Sequence, residues 1–290
     1  MTIYHPKARN AEDFYDIGKY KEEIKWLDDD CYDAGLTTLL HEFPEPPERK
    51  LIHALLSRVQ HYQISDRVND VAFLVKRIEE LCLEPSQTLI IATAQESESD
   101  GSKAWQYFFK FYLAQHRTWS EKSLVASLES SYQILRAGHY KNVVIFDDFI
   151  GSGETMVTKV KEFLQKVNSF ATIPNVHIFA LAGMEFGIKH IENELSLSVV
   201  CPVLVKKGIA DQEVSMEQKD EETKLMIKME QCLAKKYKQK MFIGKFSLGF
   251  NKSEALYQVQ FTNCSNNVFP IFWLSPKGRG NFRNTLFYRL

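Results

Sequence analysis

The spacing of apolar residues changes character along the chain. From residue 20 to 83 it is helical. In "VNDVAFLVKRIEEL", Val68, Val71, Val75, Ile78 and Leu81 fall on one face, and "ERKLIHALLSRVQHY" carries a similar stripe. "FPEPPE" at 43–48 punctuates this region, because Pro44, Pro46 and Pro47 cannot continue a helix. Residues 1–20 are polar with scattered aromatics and read as loosely ordered. At residue 87 short continuous apolar runs begin to alternate with helical stretches. "QTLIIATA" (87–94), "NVVIFDD" (142–148), "NVHIFALAGM" (175–184) and "LSVVCPVLV" (197–205) read as buried strands. "AWQYFFKFYLAQ" (104–115), "SEKSLVASLESSYQILRAG" (120–138), "ETMVTKVKEFLQKV" (154–167) and "EFGIKHIENEL" (185–195) read as helices. Met156, Val160, Phe163 and Val167 share one helix face, and Trp105, Phe108, Phe109 and Tyr112 read as core. This alternation predicts an α/β fold with a parallel sheet covered on both faces.

After residue 210 the alternation stops. "SMEQKDEETKLMIKMEQCLAKKYKQ" (215–239) reads as a long, charged, solvated helix. "FIGKFSLGF", "ALYQVQFT" and "VFPIFWLS" read as short strands, with turns at Asn251, Asn266 and Asn267. Three segments are therefore expected: an N-terminal helical region at 1–86, an α/β core at 87–210 and an α+β extension at 211–290.

Composition narrows the function classes. The chain has 290 residues, 44% hydrophobic and 12% aromatic, enough for a sizeable core. A net charge of -1 argues against a dedicated polyanion-binding surface. "KGRGNFRNTLFYR" (277–289) is locally basic; a solvated tail or subunit contact is the favoured reading, with nucleic acid left open. Five scattered cysteines form no CxxC, which fits a reduced, cytoplasmic protein, and no Cys/His spacing suits zinc. No signal peptide and no run of about 18 apolar residues is found, so no membrane span is expected.

The chemistry concentrates in "VVIFDDFIGSGET", residues 143–155. The strand is expected to end after residue 146, at Asp147, where an open parallel sheet usually binds its ligands. There the backbone turns, and both Asp147 and Asp148 could reach one vicinal diol or a magnesium-bound group. Gly151 and Gly153 let the loop bend and expose N–H groups. Ser152 and Thr155 add hydroxyls, and the helix starting near Glu154 adds the partial positive charge of its N-terminus. A sugar with free hydroxyls and a 5′-phosphate matches that layout. GxxxxGK[ST] and GxGxxG are both absent. The plain alternative is a strand end with a capping Asp and a glycine turn.

This run resembles the 5-phosphoribosyl-1-pyrophosphate (PRPP) signature of type I phosphoribosyltransferases (PRTases), matching every pattern position as VVIF-DD-FI-G-S-G-E-T. The resemblance covers the region from about 87 to 210 and implies a PRTase-type core. It implies that Asp147 and Asp148 bind the ribose 2′- and 3′-hydroxyls, and that Gly151, Ser152, Gly153, Glu154 and Thr155 hold the 5′-phosphate. It makes "SDGSK" the pyrophosphate loop, with Asp100, Gly101 and Ser102 as binding residues and Lys103 opposing charge on the leaving group. On the residues alone that loop is a polar turn capping a helix. The resemblance also implies Mg2+ as cofactor, near Asp147 and Asp148. Gly151 stands where some purine-using relatives carry a base-contacting acid, so no base-activating side chain is identified. The segment 116–127 lies where relatives have a lid.

The N-terminal helices, "FDDFIGSGET" and "NNVFPIFW" together also resemble PRTase-like proteins of bacterial conflict systems, some encoded beside retron reverse transcriptases as antiphage effectors. That implies modification or breakdown of nucleotides, restrained by protein partners from a defence operon, and an oligomeric assembly is expected. The expected function is PRTase-like transfer or N-glycosidic chemistry on PRPP or a phosphoribosyl nucleotide. The alternative is a non-catalytic regulatory subunit that senses PRPP or a nucleotide.

Overall fold

A computed structural model describes residues 11–95, 100–116, 118–276 and 283–290. The chain divides into two units, one built from both ends (residues to Tyr62 and from Lys206) and one from Gln63–Val205.

In the first unit, α1 (Ala11–Glu23), α2 (Asp33–Glu42) and α3 (Pro46–Arg58) lead into the short strand β1 (Gln60–Tyr62). Of residues 1–20, expected to be loose, 11–20 are helical and 1–10 lie outside the described residues. The prolines that interrupt the pattern also start α3: Pro46 and Pro47 occupy its first positions, where a missing N–H costs nothing, and Glu45 and Glu48 form a capping box.

The second unit runs through α4 (Ile64–Glu80), β2 (Thr88–Ala92), α5 (Gly101–Leu113), β3 (Leu124–Val125), α6 (Leu128–Arg136), β4 (Asn142–Ile150), α7 (Glu154–Val167), β5 (Asn175–Met184), α8 (Glu185–Leu195), β6 (Val199–Val200) and β7 (Val203–Val205). Its sheet is wholly parallel, in the order β3-β2-β4-β5-β6, with β7 also paired to β5. The expected strand at 197–205 is thus two short pieces. The expected helix at 120–138 is only α6, preceded by edge strand β3.

The centre of the sheet is dry. Thr88 to Ala92 and Val143 to Phe146 are fully buried. One sheet face packs Leu89, Ile91, Val143, Ile145 and Ile178 against Leu135 of α6, Val160 and Phe163 of α7 and Ile191 of α8. On the other face Phe109 of α5 meets Phe146 edge-on, with ring centroids 4.9 Å apart. Each such aromatic contributes about 1.5–3 kcal/mol by burial. Gln106 fixes α5 further, donating to the Ile90 and Val125 carbonyls at 2.8 and 2.9 Å. Trp105 and Phe109 are core as expected, Phe108 and Tyr112 are only half-buried, and Tyr107 and Phe111 on the same helix are exposed.

The chain then returns to the first unit through α9 (Met216–Lys236), α10 (Lys240–Phe246), β8 (Tyr257–Val259) and α11 (Pro270–Trp273), with β8 pairing β1 in parallel. Of the three strands expected here, only the middle one forms; the other two are helices. The basic tail is not a solvated arm where it is described. Arg283, Leu286 and Phe287 are buried, and residues 277–282 lie outside the described residues. Among the described residues no helix is long and apolar enough to cross a membrane.

Candidate functional site

Strand β4 does not stop at Phe146. It stays paired with β5 through Asp147↔Ala180 to Ile150↔Gly183. The acids therefore lie within the last part of the strand rather than past its end. They still converge: oxygens of Asp100, Asp147 and Asp148 all lie within 4.8 Å of one another.

Different neighbours hold each acid. Asp147 accepts the Asp148 N–H at 3.1 Å and a hydrogen bond from the Thr93 hydroxyl, and Lys159 lies near enough to favour its charge. Lys159, on α7, donates its Nζ to the Thr93 carbonyl at 2.5 Å, while the Thr93 N–H donates to the Phe146 carbonyl at 3.0 Å. Asp148 lies over the first residue of α5. A Cβ on Gly101 would sit 2.0 Å from an Asp148 carboxylate oxygen, so only glycine permits this approach. Asp100 is the N-cap of α5 and accepts from the Ser102 N–H at 2.8 Å and the Ser102 hydroxyl at 2.7 Å. Ser102 Oγ in turn accepts from Ala94 N at 3.1 Å.

Three acids this close cannot all ionise freely. Burial, with Asp100 nearby, pushes the Asp147 carboxyl up to about 6 despite the Thr93 and Lys159 contributions. Burial and the charges of Asp147 and Asp100 push Asp148 well above the usual carboxylate range. Protons, a cation or hydroxyl donors would each relieve the strain. Three carboxylates are the hard oxygen donors that Mg2+ prefers, so the residues present fit that ion.

The loop after β4 turns through Gly153 at φ +84°, a left-handed conformation that disfavours side chains. Gly153 is the N-cap of α7 and supplies no side-chain cap, so the first-turn amides of α7 have no such partner. By contrast, Asp100 caps α5, Ser127 caps α6 and Ser215 caps α9. An uncapped helix start after a glycine bend is suited to an anion.

Not every expected residue faces the acids in the same way. Glu154 is exposed and lies 3.3 Å from His190 Nε2 on α8. Lys103 donates to the Gln95 carbonyl. Ser99 lies outside the described residues, as does Arg117 within 116–127. The rest of that polar segment includes β3, which pairs with β2 in the sheet. Thr93, Lys159 and Gly187 were not singled out in the sequence. Lys159 carries the one readable signal, standing four residues after Thr155 on the same helix and hence on its face.

In structure the chain is similar to several solved proteins. One is the xanthine-guanine-hypoxanthine phosphoribosyltransferase of Helicobacter pylori, at 14% identity and TM-score 0.31, over 50% of this chain and 84% of that one. A hypothetical protein from Neisseria gonorrhoeae with bound ppGpp gives 14% and 0.35, over 58% and 96%. Orotate phosphoribosyltransferase from Aeropyrum pernix gives 16% and 0.29, over 46% and 68%. No curated protein matches the chain in sequence. The PRTase-CE family model matches residues 36–289, which takes in the acids, the glycine loop and most of both units, and the chain belongs to the PRTase-CE family.

Proposed function

We propose that the chain is a phosphoribosyl-transfer enzyme that binds PRPP or a phosphoribosyl nucleotide together with Mg2+. One observation carries this reading: two half-buried acids in the last part of β4 are followed, two residues on, by a glycine loop and a helix start without a side-chain cap. Asp147 and Asp148 accept hydrogen bonds from the ribose hydroxyls. The amides and hydroxyls of 151–155 receive the 5′-phosphate. Together they fix the sugar at two points, which orients C1 for attack and removes most of the entropic cost of the encounter. In this reading the loop before α5 takes the pyrophosphate, and Lys103, which donates to the Gln95 carbonyl, would oppose the charge of the leaving group. Asp100, Asp147 and Asp148 would hold Mg2+, which when bound supplies positive charge to the anionic substrate.

The test is turnover. Protein with Mg2+ and PRPP is incubated with bases, nucleotides and NAD, and released pyrophosphate or base is measured. Wild type is expected to turn over at least one combination, and Asp147→Asn/Asp148→Asn to lose about 100-fold or more, the usual cost of removing a key polar contact at a reacting centre. PRPP binding without turnover across the panel would instead identify a sensing subunit. Absence of binding to any phosphoribosyl compound would end both readings.

A further inference from the structure

Helix α8 packs directly onto the glycine loop. A Cβ built on Gly187 would lie 1.9 Å from the Gly151 carbonyl oxygen and 3.1 Å from the Ser152 carbonyl carbon. The contact is reciprocal, because a Cβ on Gly153 would lie 2.6 Å from the Gly187 carbonyl oxygen and 3.1 Å from Ile191 Cγ1. The nearest obstructing atom on each side is a backbone carbonyl oxygen, which cannot swing aside as a side chain can. One turn further on, His190 Nε2 stands 3.3 Å from Glu154 at the start of α7. Gly187, His190 and Ile191 share one face of α8 at i, i+3 and i+4. Beneath it, Gly183 of β5 lets Ile188 in close: a Cβ there would sit 2.8 Å from Ile188 Cδ1 and 3.2 Å from Ile150 Cβ. The loop is thus packed against the first turns of α8 through backbone contact at Gly187, and Glu154 faces His190 there without a hydrogen bond between them.

We infer that Gly187 is a positioning residue for the 5′-phosphate, holding the amides of 151–155 in the geometry that binds it, and that Glu154 acts through His190 as part of the same clamp rather than by touching the ligand. The inference rests on the proposed phosphoribosyl site for its ligand but not for its geometry. A bound phosphate needs several amides aimed at one point, so a loop displaced by a few tenths of an ångström loses several hydrogen bonds together.

Three measurements test this on the full chain: amide chemical shifts of 151–155, the thermal midpoint, and affinity for ribose 5-phosphate and for PRPP with Mg2+. Gly187→Ala is expected to shift the loop amides and to weaken both ligands by the same factor, about 10-fold or more, since both present the same 5′-phosphate. The surface substitution Lys189→Ala, next to it on α8, is expected to change neither. Glu154→Gln and His190→Gln create no overlap and so remain informative if Gly187→Ala does not fold. Each is expected to weaken both ligands about 3-fold, with the double variant no worse than either single. A folded Gly187→Ala with wild-type loop shifts and wild-type affinity would overturn the inference, as would Glu154 and His190 variants indistinguishable from wild type. If wild type binds neither ligand, the proposed function fails while the loop shifts still decide the role of Gly187.

Discussion

Asp148 is expensive for the ligand-free protein. Its carboxylate is partly buried beside two other acids, and a glycine at position 101 lets it come closer still. A group kept at such a cost is characteristic of function rather than stability. The sign of the pH effect follows. Both Asp147 and Asp148 have folded-state values raised above the unfolded carboxylate, so their contribution to stability is full below about pH 4 and is lost as pH rises, through about 6 for Asp147. Asp148→Asn removes one of the repelling charges. Its thermal midpoint is therefore expected above that of wild type at pH 8, with the gap narrowing at pH 4. A variant less stable than wild type at pH 8 would contradict the assignment of repulsion. Lys159 offers a second check at this scale. Its charge favours ionised Asp147, so in Lys159→Met the Asp147 carboxyl should titrate higher than in wild type when followed by NMR.

At the scale of elements, the bend between β4 and α7 is specified by Gly153. A side chain there meets both a left-handed φ of +84° and the Gly187 carbonyl oxygen. Gly153→Ala is expected to destabilise the protein by about 2 kcal/mol or more, measured by denaturant unfolding; a change under about 0.5 kcal/mol would mean the loop has another conformation open to it. The elements around this bend were legible in sequence because their patterns are unambiguous. β4 carries the apolar run Val143 to Phe146 and β5 the run Ile178 to Met184, and α7 repeats its buried face at Met156, Val160, Phe163 and Val167. The C-terminal region was not legible, since a short apolar run fits a strand or a buried helix equally well. "VFPIFWLS" became a helix because Pro270 occupies a first-turn position, and "FIGKFSLGF" overlaps α10. In the site itself, the acids and the loop are contiguous and could be read. Asp100 could be read only through the family resemblance, and Thr93, Lys159 and Gly187 come from the end of β2, from α7 and from α8, which only the fold brings to the same place.

For the molecule as a whole, the unit built from both chain ends depends on charges from distant parts of the sequence. Glu42 is buried, yet its carboxyl is held below the usual range by Arg283, Lys236 and Tyr237, with contacts at 2.8, 2.8 and 2.5 Å, against the opposing effect of burial. Arg283 also donates to the Leu274 and Ile271 carbonyls. Arg283→Met would leave a buried carboxylate short of its main partner and is expected to cost about 3–5 kcal/mol. Thermal unfolding of the variant would show it, and an unchanged midpoint would mean that Glu42 is not buried as a charge. The PRTase-CE match runs from 36 to 289, so it takes in this unit from α2 onward as well as the α/β unit. The proposed sugar-phosphate site lies in the α/β unit, and a crystal structure of the protein with ribose 5-phosphate and Mg2+ would show it directly. The phosphate is expected on the amides of 151–155 and the ribose hydroxyls on Asp147 and Asp148. A phosphate seated instead at the start of α5, with the glycine loop empty, would contradict it.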